Sequence, residues 1–153
     1  MARFEEATGI TRTWTTVAGV CALAGGAAWV VKQGVIALSA TGSEPPENAV
    51  IGTFYILGLA LMIIGASGIA VRLLRRTAPV VWMPVAVLSA PVVFFGVETA
   101  VDAAVDALAG PDAHWWWASE GGIVLTALVF LGIGATLLAG RRRASERSVP
   151  AAV

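Results

Sequence analysis

Apolar residues fill four long runs of this chain, which short segments rich in Gly, Pro and charged residues separate. The runs cover about residues 14–38, 49–71, 80–108 and 120–140. An α-helix needs about 20 such residues to cross the hydrocarbon core of a bilayer. Short links between consecutive helices favour antiparallel neighbours. The pattern therefore predicts an all-α integral membrane protein with four transmembrane helices in an antiparallel up-down bundle.

Basic residues flank only alternate ends of these runs. Arginines precede the first run, separate the second from the third and follow the fourth, whereas Ser39–Asn48 and Asp102–Glu120 contain no Lys or Arg. By the positive-inside rule, both termini are expected in the cytoplasm and the protein in the plasma (inner) membrane. This topology predicts a cytoplasmic N-terminus over residues 1–12, a transmembrane domain over 13–140 and a basic, disordered tail over 141–153.

Signal-peptide cleavage is the alternative to this topology. A small-residue site exists at Ala37-Leu38-Ser39, and cleavage there would leave three spans. The first apolar run is longer than the apolar region of a usual signal peptide, and acidic residues accompany Arg3 before it. Both observations favour a first helix that is retained.

The composition fits a helix bundle in lipid. The chain is 58% hydrophobic and 13% charged, with a net charge of +0. These values predict the lipid bilayer and other transmembrane helices as partners, through self-association or a larger complex, and no nucleic acid. Cys21 is the only cysteine, so the sequence offers no internal disulfide or metal-binding spacing, and no cofactor is expected. The bias towards Arg, Ala, Gly and Val is typical of a GC-rich bacterial genome.

Small and cyclic residues predict how the helices pack. In lipid, small residues allow helix backbones to approach closely. Two sets are expected at helix interfaces: Gly65 with Gly68, and the stripe Gly132, Thr136 and Gly140. Pro84 and Pro91 are expected to kink the third span.

Two segments hint at an internal duplication. Ile64-Gly65-Ala66-Ser67 followed by Arg72 resembles Ile133-Gly134-Ala135-Thr136 followed by Arg141. Such a repeat would make the protein two parallel helical hairpins.

Depth in the membrane decides what the charged residues can do. Lys32, Glu98 and Glu120 each lie about twenty residues along a helix from a flanking arginine, which corresponds to about 30 Å. All three are therefore expected near the outer interface. A proton-coupled transporter usually keeps an ionisable group deep in the membrane, so this placement argues against that function.

Glu98, Asp102 and Asp106 recur every four residues and would form one acidic stripe on the third helix. Lys32 is the basic side chain expected to pair with one of them. In one interpretation these groups only reach interfacial water. In the other, they form an outer site for a cation or polar ligand, although the spacing does not indicate a metal.

Aromatic residues precede the fourth run. Trp115, Trp116 and Trp117 follow His114, the only histidine. Tryptophans favour the membrane interface, so they predict either an aromatic belt or a wall for a cationic or isoprenoid-like ligand. The candidate ligand-binding set is thus Lys32, Glu98, Asp102, Asp106, Trp115, Trp116, Trp117 and Glu120.

Three classes of function remain open. The first is a non-catalytic accessory or interaction module whose small-residue stripes dock other helices. The second is a small homo-oligomeric channel or transporter with an outer acidic cation site. The third is a small membrane enzyme that acts on a lipid-like or isoprenoid-like substrate, with Glu98, Asp102 or Glu120 as the catalytic acid.

Overall fold

A computed structural model describes residues 2–38, 49–74, 83–109 and 115–146 of the chain. The described part is helical throughout, apart from a turn at Ser89. Five helices follow one another: α1 (Ala2–Leu38), α2 (Ala49–Leu74), α3 (Met83–Leu88), α4 (Ala90–Ala109) and α5 (Trp115–Glu146). The prediction of an all-α protein is confirmed.

Three helical segments are long and apolar enough to cross a membrane: Arg12–Ala37, Ala49–Leu73 and Glu120–Gly140. They correspond to the first, second and fourth predicted spans. The predicted third span, 80–108, begins outside the described residues and is divided between α3 and α4. Helix α4 is not among these three segments, because its three carboxylates make it less apolar than they are.

The interruption between α3 and α4 has a local cause. Pro91 has no backbone N–H, so it cannot donate to the preceding turn. The backbone nevertheless stays connected across the turn, because Ser89 N donates to Val85 O at 2.9 Å and Val93 N donates to Ser89 O at 3.0 Å. The kink expected at Pro91 thus corresponds to the turn at Ser89. Pro84 lies at the edge of the described residues, and the kink expected there stays a prediction.

Helix α1 packs most extensively against α2 and α5. Glycines make the approach to α2 close: a Cβ added at Gly25 would lie 2.8 Å from Gly58 O, and one at Gly65 would lie 2.7 Å from Ala22 Cβ. On its other side, a Cβ added at Gly26 would lie 2.7 Å from Ala127 O. Small residues thus bring three backbones together, as expected in lipid.

The same contacts fix the helix directions. Along α1, later residues meet earlier residues of both α2 and α5, so α1 is antiparallel to both. Helix α4 packs against α2 and α5. Phe94 of α4 meets Phe130, and Asp102 meets Gly122, so α4 is antiparallel to α5. Successive long helices therefore alternate in direction.

We name the two ends of this arrangement by their charged residues. The arginine end holds Arg12, Arg72 and Gly140, and the carboxylate end holds Lys32, Tyr55 and Glu120. Between them lies a core of large side chains with at most 1% exposure: Trp29, Met62, Phe94 and Phe130. Near the arginine end, Trp14 Nε1 donates to Ser67 Oγ at 2.9 Å.

The small-residue predictions had different outcomes. Gly65 and Gly68 lie in the α1–α2 interface, as expected, and a Cβ added at Gly68 would lie 2.6 Å from Ala18 Cβ. The stripe Gly132, Thr136 and Gly140 is exposed and contacts no other described helix closely at Gly132, so its expected place against another helix stays a prediction. Gly134 packs on α1 instead, where an added Cβ would lie 2.7 Å from Gly19 O.

Two boundaries also differ from the predictions. Helix α5 continues past Gly140 to Glu146, so the beginning of the predicted disordered tail is helical. Helix α1 begins at Ala2, within the predicted N-terminal segment. The duplication is not confirmed: α1 is unbroken, whereas its proposed counterpart is split at Ser89.

Candidate functional site

An aromatic group lies beneath the carboxylate end, and Trp29 is its centre. The Trp29 and Tyr55 rings stack with centroids 5.4 Å apart and planes 9° apart. Trp29 Nε1 donates to Tyr55 O at 3.0 Å, so the buried N–H is satisfied. Phe94 meets the edge of Trp29 at 6.3 Å and lies 5.4 Å from Phe130. These rings tie α1, α2, α4 and α5 together just below the charged residues.

Lys32 lies one turn beyond Trp29 and is only 6% exposed. Its Nζ is 5.1 Å from the centroid of the Tyr55 ring, a distance at which the ring face attracts the ammonium group. The carboxylate that acts electrostatically on Lys32 is Glu120, whereas Glu98 interacts with Asp102. The structure thus gives Lys32 a different acidic partner from the acidic stripe expected from the sequence.

Gln33 is the second buried polar side chain at this end, with 7% exposure. Its Nε2 donates to Glu120 Oε2 and so joins α1 to α5. Its Oε1 is buried and has no hydrogen-bond partner among the described residues. A buried amide oxygen without a partner is energetically unfavourable, so this carbonyl is available to a ligand, a water molecule or a partner group.

The three carboxylates of the acidic stripe differ in exposure and contacts. Asp102 Oδ1 contacts the backbone of α5 at Gly122, where a side chain would collide with it. Asp106 is exposed one turn further out. Glu98 is only partly exposed and lies one turn closer to Phe94. The three carboxylates therefore meet three different environments.

The α4–α5 register determines the depth of Glu98. Phe94 faces Phe130 and Asp102 faces Gly122, and Glu98 lies midway between Phe94 and Asp102. Phe130 is the middle residue of the apolar segment Glu120–Gly140. Glu98 is four residues from Phe94, and its level is therefore about 6 Å from the middle of that segment.

The sequence places Glu98 near the outer interface by counting a continuous helix from Arg76. Residues 75–82 lie outside the described residues, so this position stays a prediction. Within the described helices, the register with α5 gives Glu98 a level close to the middle of the apolar segment Glu120–Gly140.

Thr126 of α5 lies at the same level as Glu98 of α4 and was missed as a site residue in the sequence. Thr126 lies four residues from both Gly122 and Phe130 on α5. Glu98 lies four residues from both Asp102 and Phe94 on α4, and these two residues contact Gly122 and Phe130. Thr126 is 0% exposed, and its Oγ1 has no hydrogen-bond partner among the described residues. Only its register with α4 distinguishes it from other helical threonines, so a single-helix pattern could not identify it.

The remaining candidates stay predictions. His114 lies outside the described residues. Trp115, Trp116 and Trp117 form the start of α5, but their side chains are not described. Within the described ranges, no three His, Cys, Asp or Glu side chains are placed to hold a metal ion.

The described helices thus contain two polar regions. Lys32, Gln33 and Glu120 lie at the carboxylate end, and Glu98 and Thr126 lie closer to the middle of the bundle. Comparisons with protein-family models, with characterised proteins and with solved structures find no match to this chain.

Proposed function

We propose that this protein is a four-span membrane protein that acts as a non-catalytic interaction module in the plasma membrane, with both termini in the cytoplasm. Helices α2 and α5 both run antiparallel to α1, so the chain must return along the length of the molecule between them. Among the described helices, α3 and α4 are the ones that lie between α2 and α5 in the sequence and can make that return. If the three apolar segments cross the bilayer, the α3–α4 pair is therefore the fourth crossing.

The observation that carries an interaction role is the outward stripe of α5. Its two glycines are exposed, and a Cβ added at Gly132 would meet nothing within 4 Å. Thr136 Oγ1 donates to Ile133 O at 2.8 Å, so its hydroxyl is satisfied within its own helix. The stripe is thus small, flat and free of unmet polar groups, as a docking surface for another transmembrane helix requires.

The packed interior supports this role more than an axial channel. Trp29, Met62, Phe94 and Phe130 fill the space between the helices, and each has at most 1% exposure. An ion that followed the axis of one chain would have to displace these side chains. The carboxylate end, with Lys32 and the unpartnered Gln33 carbonyl, then provides a second, polar contact for the docked partner.

A homo-oligomeric transporter is the second candidate, and the depth of Glu98 favours it. Intramembrane carboxylates commonly mark ion or proton pathways. In that case the helix docked on α5 would come from a second copy, and transport would occur between chains.

The docking surface can be tested with Gly132→Leu in the full chain. The larger side chain should prevent close approach of a second helix and reduce the mass of the assembly extracted from membranes, without lowering thermal stability. Gly96→Leu is the matched control, since an added Cβ at Gly96 also meets nothing within 4 Å. Crosslinking in membranes, followed by light scattering in mild detergent, reports the mass.

Three results are informative. Loss of the assembly in Gly132→Leu but not in Gly96→Leu supports docking on α5. Co-isolation of two differently tagged copies identifies the docked helix as a second copy of this chain, which supports the transporter. An unchanged assembly in Gly132→Leu, or a wild-type protein that is monomeric in the membrane, would refute the proposed role.

A further inference from the structure

We propose that Glu98 and Thr126 form a reversible proton-binding site inside the membrane. This site goes beyond the docking role, because it uses the buried α4–α5 interface rather than the outward face of α5. Two contacts fix the register of α4 and α5: Phe94 with Phe130 and Asp102 with Gly122. Glu98 lies halfway between these contacts on α4, and Thr126 lies halfway between them on α5. They therefore lie at the same level of the two packed helices.

Thr126 behaves differently from other threonines in the described helices. Thr13, Thr16 and Thr53 each donate to the carbonyl of the residue four positions earlier. This is the usual way for a helical hydroxyl to be satisfied in an apolar environment. Thr126 Oγ1 makes no such bond, although the side chain is 0% exposed. Its hydroxyl is thus left for a group on the facing helix.

Among the described side chains, the charges around Glu98 leave it without a compensating cation. On α4, Asp102 is one turn further out and repels it. On α5, Glu120 is further out and already accepts a hydrogen bond from Gln33. On α1, Lys32 lies over the ring of Tyr55, which α2 contributes, and interacts with Glu120.

A charged carboxylate at this depth is costly, because the surroundings are apolar and no cation offsets it. Glu98 can lower this cost by binding a proton, which makes the side chain neutral. When the proton leaves, the Thr126 hydroxyl can donate to the carboxylate, and hydrogen bonds to ionised acceptors are stronger than those to neutral ones. Thr126 therefore makes release of the proton easier, and the site reversible.

The test uses dicyclohexylcarbodiimide, an apolar reagent that adds to protonated carboxyl groups, on the full chain in lipid vesicles. Mass spectrometry locates the labelled residue at a series of pH values. We expect labelling at Glu98 that falls as the pH rises. In Thr126→Val the carboxylate loses its donor, so the pH of half-labelling should rise by about one unit.

Thr53→Val is the matched control, since Thr53 is exposed and bonds to its own helix. It should leave the half-labelling pH unchanged. Glu98→Gln should abolish the label at this position while thermal unfolding shows that the fold is retained.

Three outcomes overturn the proposal. The first is absence of labelling at Glu98 at every pH. The second is an equal response of Thr126→Val and Thr53→Val. The third is protection of Glu98 by sodium ions at constant pH, which would identify the ligand as a metal ion. None of these outcomes affects the assembly measured with Gly132→Leu, so the two proposals fail independently.

Discussion

At the scale of single residues, Lys32 shows how this protein accommodates a buried charge. An ammonium group with 6% exposure has lost most of its contact with solvent. Two neighbours offset that loss: the face of the Tyr55 ring and the charge of Glu120. Glu120 is itself held by Gln33, so one hydrogen bond and two electrostatic contacts join three helices at the carboxylate end.

This arrangement predicts energetic coupling between Lys32 and Glu120. Lys32→Met alone should destabilise the fold, since it leaves Glu120 without its counter-charge, and adding Glu120→Gln should recover part of the loss. The coupling free energy in a double-mutant cycle should be about 0.5–3 kcal/mol. Unfolding in mixed micelles measures each free energy.

The control cycle pairs Lys32→Met with Asp106→Asn, because Asp106 is exposed and lies two turns beyond Glu98. Its coupling should be close to zero. Equal couplings in the two cycles would mean that Lys32 responds to the general negative charge of this end rather than to Glu120.

At the scale of helices, α1 is the element on which the structure depends. It uses one small-residue face for α2, through Ala18, Ala22 and Gly25, and another for α5, through Gly19 and Gly26. Burial of apolar surface does not drive helix association in lipid, so close packing of these faces has to supply the stability.

A glycine pair on α1 tests this dependence. In Gly25→Ala the new Cβ would lie 2.7 Å from Met62 Cγ and 2.8 Å from Gly58 O, and the latter is backbone that cannot move aside. We expect a loss of about 1–3 kcal/mol in the free energy of unfolding. Gly34→Ala on the same helix meets nothing within 4 Å and should be neutral or stabilising. A similar loss of stability in both variants would show that the close contact at Gly25 does not determine the free energy of unfolding.

The sequence was sufficient to predict where the apolar helices lie in the chain, but not which face of each helix packs against its neighbours. Apolar runs identify α1, α2 and α5, because length and hydropathy are properties of one segment. Which face of α5 turns inward depends on its neighbours, and an apolar helix in lipid carries no polarity contrast to orient it. From the sequence, the face of α5 with Gly132 and the face with Gly134 were therefore equally suitable for packing. The contacts of Gly134 with α1 show which of the two faces inward.

The level of Glu98 along the bundle could not be read from the sequence for a related reason. Counting residues gives a distance only along a continuous helix, and the turn at Ser89 between α3 and α4 is not visible in hydropathy. Lys32 and Glu120 lie on unbroken helices and at the same end of the molecule, and their place at the outer interface stays a prediction. The Glu98–Thr126 pair required the α4–α5 register, which only packing supplies.

At the scale of the whole molecule, charge and helix direction favour the proposed topology. Along the sequence, segments that lack Lys and Arg alternate with arginine-rich segments between the apolar runs. Helices α2 and α5 run parallel to each other, and the proposed crossing by α3 and α4 would return the chain between them.

Cysteine labelling in intact cells tests this topology with four positions on a Cys21→Ala background, so that no native thiol reacts. Ser43→Cys and Asp112→Cys should react with a membrane-impermeant maleimide, because the positive-inside rule places these basic-free links outside. Ala78→Cys and Ser148→Cys should react only after permeabilisation. Labelling at residue 43 but not at 112 would show that α3 and α4 do not cross. Labelling at residue 148 in intact cells would reverse the orientation. Four reactions in the expected pattern would establish the fourth crossing.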